Sequence, residues 1–151
     1  MLLSSYPSRV HAELTIEIAR APEEVFAYLT DVSNLTEWQA GVHSAEIAGG
    51  GAVEAGARIA ESRSLLGRDL HTTLEIAEHE PPRLFVLRAL DGPVQFTVRH
   101  ELEPAGTGTR LTVSGDADTG MLPGFAAGLM ARRAEKQFRK DFERLKAILE
   151  R

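Results

Sequence analysis

The sequence predicts a single α+β domain in which a curved antiparallel sheet is closed by a long C-terminal helix. Three observations carry this. Apolar and polar residues alternate with a period of two over many short segments separated by tight-turn residues, the mark of half-buried strands in a meander rather than βαβ units. Two short helical signatures, one led by Pro22 and one by Ser33, follow the first strand. From about Leu122 to Glu150 the pattern is helical. At 151 residues the chain is large enough for one core and too short for two ordinary ones. Residues 1–151 are therefore expected to form one domain, with 1–8 a loose N-terminal segment.

Each element follows from local residues. Over 12–18, Ala12, Leu14, Ile16 and Ile18 alternate with Glu13, Thr15 and Glu17, giving one apolar and one polar face. Pro22 suits the first turn of a helix, where its missing N–H costs nothing, and Glu23 and Glu24 complement the positive end of the helix dipole. Val25, Phe26 and Leu29 form its apolar face, and Asp31 ends it. Ser33 is the expected N-cap of a second short helix that carries Leu35 and ends at Trp38. After Gly41 the chain reads as strand: 42–48, ending in Gly49-Gly50-Gly51, then 56–66, turning at Gly67. In 68–80, Leu70, Thr72, Leu74 and Ile76 alternate with Asp69, His71, Thr73 and Glu75. Pro81-Pro82 stops that strand, because proline has no N–H for the ladder and restricts its predecessor. Residues 83–89 follow, then a turn at Asp91-Gly92-Pro93. Val94, Phe96, Val98, His100 and Leu102 share one face of the next strand, and 109–114 completes the sheet after Gly106-Thr107-Gly108.

In the C-terminal helix, Ala127, Ala131, Ala134, Phe138, Phe142, Leu145 and Leu149 fall on one stripe at the helical period. Met121, Leu122, Phe125 and Leu129 lie on the other side. The second half is amphipathic. The first is apolar nearly all round, so it is expected to be buried on both sides or to expose a patch for something else. Pro123, Gly124 and Gly128 lower its helicity, each glycine by up to about 1 kcal/mol relative to alanine. Residues 120–130 are accordingly expected to form an entrance more mobile than 134–149.

Composition excludes several function classes. Cysteine is absent, which removes disulfides, thiol nucleophiles and cysteine-ligated metal. Met1–Pro7 lacks the basic start and long apolar stretch of a signal peptide, and no apolar run is long enough to span a bilayer. A cytoplasmic location is the expectation. Net charge is −5, yet residues 121–151 carry eight Lys and Arg against four acids, leaving −9 for the remainder. A basic helix on an acidic body either steers an anion or touches a lipid surface, or it is a solvated face complementing an acidic neighbour. The acidic total and the lack of interleaved aromatic and basic residues on the strands argue against nucleic acid. Oligomeric state is left open, a homodimer included.

The element order, with Ala21-Pro22-Glu23-Glu24-Val25-Phe26, Asp31-Val32-Ser33-Asn34-Leu35-Thr36-Glu37-Trp38, Gly108-Thr109-Arg110-Leu111 and the closing helix, resembles the START-like superfamily. This superfamily is also called SRPBCC, and the resemblance is to its polyketide cyclase/dehydrase-like branch, from about Arg9 onward. It implies a helix-grip fold, with about seven strands wrapped around the C-terminal helix and an elongated cavity between them. It also implies a hydrophobic ligand such as a sterol, lipid, quinone or polyketide, with cyclisation or dehydration in some relatives. The superfamily has no universal catalytic motif, so the resemblance transfers a pocket and not a reaction.

Gly49-Gly50-Gly51 is no phosphate loop, since no Lys-Ser/Thr follows and the next segment reads as strand. It is a hairpin turn. His11, His43, His71, His79 and His100 show no metal-ligand spacing, and no metal or organic cofactor is expected. Only His100 lies on an apolar strand face, as a hydrogen-bonded core residue or as a base. Glu61 and Arg63 share the parity of Ala57, Ile59 and Leu65. Either that face is inward and the two pair within a cavity, or it is outward and they are surface charges. Asp116 and Asp118 read as turn or helix-start acids. Trp38 seals the short helices against the sheet or contacts ligand, and Phe138 and Phe142 read as core.

The expected ligand-lining set is Trp38, Ile59, Glu61, Arg63, Thr72 and Leu74, with Arg88, Phe96, Val98 and His100 from the following strands and Phe125 and Leu129 from the helix. Three functions stay open. The first is binding or transport of a small hydrophobic ligand in a cavity of roughly 300–1,000 Å³. The second is a cofactor-independent cyclase or dehydratase in which a desolvated His100, with Thr72 or Arg88, moves a proton. The third is docking to a lipid surface or partner through the C-terminal helix. A carrier needs volume and an opening, an enzyme a titratable group facing the cavity, and a docking module exposed Phe125 and Leu129.

Overall fold

The computed structural model describes residues 9–65, 67–92, 94–118 and 124–151. The expected loose segment 1–8, and Met121, Leu122 and Pro123 of the expected entrance, lie outside the described residues. Seven antiparallel strands form one open, curved sheet in the order β1-β7-β6-β5-β4-β3-β2. They are β1 (Arg9–Ile18), β2 (Val42–Ile47), β3 (Arg58–Leu65), β4 (Arg68–Glu80), β5 (Leu84–Ala89), β6 (Gln95–Ala105) and β7 (Gly108–Asp118). Between β1 and β2 lie α1 (Pro22–Thr30) and α2 (Leu35–Trp38), and α3 (Gly124–Leu149) follows β7. This is the expected α+β helix-grip architecture.

Local chemistry explains the short elements, with two corrections. Pro22 occupies the first turn of α1. The second cap is Asp31 rather than Ser33: its Oδ1 accepts from the Ser33 N–H at 3.0 Å and the Ser33 hydroxyl at 2.6 Å, winding Val32–Asn34 into a 3-10 turn ahead of α2. A carboxylate is the stronger acceptor for those donors. Asp116 and Asp118 lie within β7, because β1 pairs with it from Ile18 back to Arg9. Asp116 accepts from His11 Nδ1 at 2.8 Å on the outer face. The β2–β3 hairpin turns through Gly49, Gly50 and Gly51 at φ of 77°, 75° and 112°, a conformation that glycine adopts without steric cost.

Register fixes what the concave face carries. Ile59, Glu61 and Arg63 of β3 lie across from Leu74, Thr72 and Leu70 of β4. Leu74 and Ile76 face Ala89 and Leu87 of β5. Leu87 and Phe85 face Val98 and His100 of β6, which meet Gly115 and Val113 of β7. A β-bulge between Ile76 and Glu78 changes parity within β4. It turns His79 inward, with ring centroids 5.5 Å from Phe26 and 6.1 Å from Phe85, and sends Glu78 outward to Arg99. His100 is thus not the only histidine against apolar residues, because alternation counted through a bulge assigns the wrong side.

α3 packs chiefly on β1 and α2, and the Phe138 ring lies over Gly115. Phe142 and Leu145 are buried, with Phe138 and Leu149 half-buried beside them. Ala134, earlier on the same stripe, is exposed. The core gathers under the second half of the helix. There Trp38, Phe142, His100 and Phe85 follow one another at centroid separations of 5.0, 5.8 and 5.7 Å, joined by Val25, Phe26 and Leu29 of α1.

Candidate functional site

One end of the concave face is sealed and the other is not. At the sealed end Ile59, Leu74, Ile76 and Phe85 are buried in one cluster with α1, α2 and Phe142. At the other, Leu70, Phe96, Val98 and Ala117 are only half-buried. Pairing places these four toward the strand ends nearest the start of α3. The helix stripe on this side is alanine: Ala127, Ala131 and Ala134 stand where Phe138, Phe142, Leu145 and Leu149 stand in the second half. A methyl group reaches too little of the sheet to cover it.

A polar group borders this open end. The Glu61 side chain, 1% exposed, accepts from Arg63 Nε at 2.7 Å. Arg63 also donates from Nη2 to Gln39 Oε1 at 3.1 Å. The face carrying Ile59 is therefore inward, and the two charges pair inside. Glu61 Oε2 and Trp38 Nε1 are buried without a hydrogen-bond partner among the described residues. Asp141 of α3 accepts from the Ala40 N–H (3.3 Å) and from Gln137 (2.8 Å), tying the helix to the turn after α2. Burial raises the Asp141 pKa, against those hydrogen bonds.

His100 is buried, and its Nδ1 donates to the Phe85 carbonyl at 2.9 Å. A carbonyl only accepts, so the proton is assigned to Nδ1 and Nε2 keeps its lone pair. Burial drives its pKa down to about 4, against the upward pull of that bond. With Trp38, Gln39, Ile59 and Leu87 it lines a cavity of about 10 Å³. That is room for one water, far below the expected volume, because Trp38, Phe85 and Phe142 fill the space between sheet and helix.

The expected partners of His100 stand elsewhere. His100 faces Phe85, which faces His79. Thr72 is buried on the inner face but lies seven residues before His79 on β4, on the order of 20 Å along the strand. Arg88 is on the outer face, exposed, in an ion pair with Glu75. Phe125 and Leu129, 83% and 47% exposed, are no pocket wall: at 100° per residue they stand on the side of α3 turned away from Phe138 and Phe142. Trp38, Ile59, Glu61, Arg63, Thr72, Leu74, Phe96, Val98 and His100 do gather on or against the concave face. Sequence reasoning missed Leu70, Gln39 and Ala131. Leu70 shares the parity of Thr72 and Leu74, so alternation signals it, whereas Gln39 lies in an irregular turn that carries no pattern.

The buried state of His100 has a measurable consequence. Because its folded pKa lies below the ordinary 6.5, the unfolded chain takes up the proton first as pH falls. The stability His100 contributes is complete above about pH 6.5 and falls by about 3 kcal/mol on the way to about pH 4. Urea unfolding between pH 7 and 4 should show wild type losing that much more than His100→Gln. Parallel profiles would contradict a buried neutral His100.

The family profile described as "Polyketide cyclase / dehydrase and lipid transport" matches residues 9–150. Solved structures share the fold. The Zhui aromatase/cyclase from Streptomyces sp. R1128 superposes with a TM-score of 0.78 at 18% identity, covering 95% of this chain and 94% of that one. A START superfamily protein from Mycobacterium smegmatis gives 0.75 at 15%, covering 93% and 99%. The protein TTHA0849 from Thermus thermophilus gives 0.69 at 20%, covering 91% and 98%. Identities this low show the fold alone. Among curated proteins none matches the sequence. With the profile spanning the sheet and the helices of the described residues, the chain belongs to the polyketide cyclase/dehydrase and lipid transport family.

Proposed function

We propose that the protein binds a small, largely apolar molecule at the open end of the concave face. The ligand lies between Leu70, Phe96 and Val98 of the sheet and Ala131 and Phe138 of α3, with Arg63 at its border. The observation that carries this reading is the alanine half of the α3 stripe beside half-buried apolar strand residues. Apolar surface left in water forgoes about 25 cal/mol per Å², and a ligand that covers it recovers that term. Arg63 and the free acceptor of Glu61 supply the few polar groups that orient such a ligand.

The family description names both catalysis and lipid transport. Binding without chemistry is favoured here because His100 sits in the sealed half, beside a cavity too small for a substrate and with neither Thr72 nor Arg88 in reach. If His100 were nevertheless a working base, His100→Gln would abolish turnover of a bound substrate and leave its affinity nearly intact. Native mass spectrometry of the chain purified from its own host tests the binding reading. The expected result is one small-molecule adduct that is lost on unfolding. Bare protein that also fails to take up the neutral apolar fluorophore N-phenyl-1-naphthylamine would overturn it.

A further inference from the structure

Three arginines on the outer face of the sheet are matched: Arg88 with Glu75, Arg99 with Glu78 and Glu101, Arg110 with Glu17 and Glu103. The cations on the first half of α3 are not. Arg132, Arg133, Lys136, Arg139 and Lys140 are all exposed, and none enters an ion pair or side-chain hydrogen bond among the described residues. Glu135 is the one acid between residues 124 and 140, so this stretch holds +4 while the rest of the chain sums to −9. At 100° per residue the five cations share an arc of about 120° with Phe125 and Leu129. Phe125 is 83% exposed and Leu129 47%. The combination is an apolar tip followed by a continuous basic stripe, on the side of the helix turned away from the core.

We propose that this face docks the protein on an anionic lipid surface. α3 lies in the plane of the interface, Phe125 and Leu129 reach the acyl boundary, and the cations sit over the headgroups. No helix among the described residues is long and apolar enough to cross a membrane, so the contact is peripheral. Charge complementarity alone would also admit an acidic protein or the acidic body of a second copy. Yet two apolar side chains and a row of flexible cations fall short of a stable protein interface, which buries on the order of 1,600 Å² around a packed core. A bilayer needs no shaped partner: its attraction grows with each basic side chain near the headgroups, and it takes up an isolated aromatic side chain. The docking face is distinct from the proposed ligand site, which borders the same half-helix on its other side.

Co-sedimentation of the full chain with phosphatidylcholine vesicles, with and without phosphatidylglycerol, tests the proposal. Binding is expected only to the anionic vesicles and is expected to weaken steeply as salt is raised. Arg133→Glu with Lys136→Glu should reduce it about tenfold or more, and Phe125→Ser with Leu129→Ser should also reduce it. All four side chains are exposed, so thermal melting of both double variants should match wild type. Equal binding to the two vesicle types, or full binding by the charge-reversed variant, would overturn the proposal. So would absence of vesicle binding together with a dimer in sedimentation velocity, or with capture by polyglutamate, that the same substitutions abolish.

Discussion

Phe142→Ala is expected to lower stability by about 3–5 kcal/mol, the range for deleting a buried aromatic side chain that its neighbours cannot collapse to replace. Phe142 is 2% exposed, and its ring lies 5.0 Å from Trp38, 5.8 Å from His100 and 5.3 Å from Phe138. These neighbours come from α2, β6 and α3 itself, so no single element can move in to refill the space. For a domain of this length the melting temperature should fall on the order of 10 °C. Phe125→Ala, on the same helix but 83% exposed, should stay within about 0.5 kcal/mol of wild type. Calorimetry on the two variants checks this, and comparable losses would contradict the division of α3 into a sealing half and an open half.

Arg63→Met should cost about 3 kcal/mol, because it leaves the buried carboxylate of Glu61 without its cation. The low end of the range for breaking such pairs applies, since the Arg63 side chain is 31% exposed. Glu61→Met in the same chain should restore most of the loss, as replacing both members of a buried pair removes the uncompensated charge. Urea denaturation of the two single variants and the double variant measures the coupling. Additive losses would mean that the 2.7 Å contact contributes nothing to folding.

The elements themselves were legible because their signals are local. The bounds of β4, Arg68–Glu80, are legible and its alternation reads correctly as far as Ile76, and Pro22 with its two glutamates marks the start of α1. The side on which Arg88 lies was not legible. β5 is buried on both parities, Leu84 and Val86 on one and Phe85, Leu87 and Ala89 on the other, so only its pairing with Glu75 decides. The pocket volume was hidden for a different reason. Trp38, Phe85 and Phe142 are far apart in the chain, and whether three rings fill one space depends on packing that no local pattern encodes. Phe125 and Leu129 fall off the main helical stripe, as the period shows. That they face water follows from the sheet covering only one side of the helix.

The central claim, that ligand occupies the space left by the alanine half of α3, is tested most directly by titrating N-phenyl-1-naphthylamine into wild type and Ala131→Phe. Ala131 precedes Phe138 by two helical turns on one stripe, so phenylalanine there continues the aromatic seal of the second half into the open end. Wild type should bind one equivalent saturably. Ala131→Phe should lose about tenfold or more in affinity, about 1.4 kcal/mol, with its melting temperature unchanged or raised. Equal affinity in both proteins would place the probe elsewhere and contradict the claim.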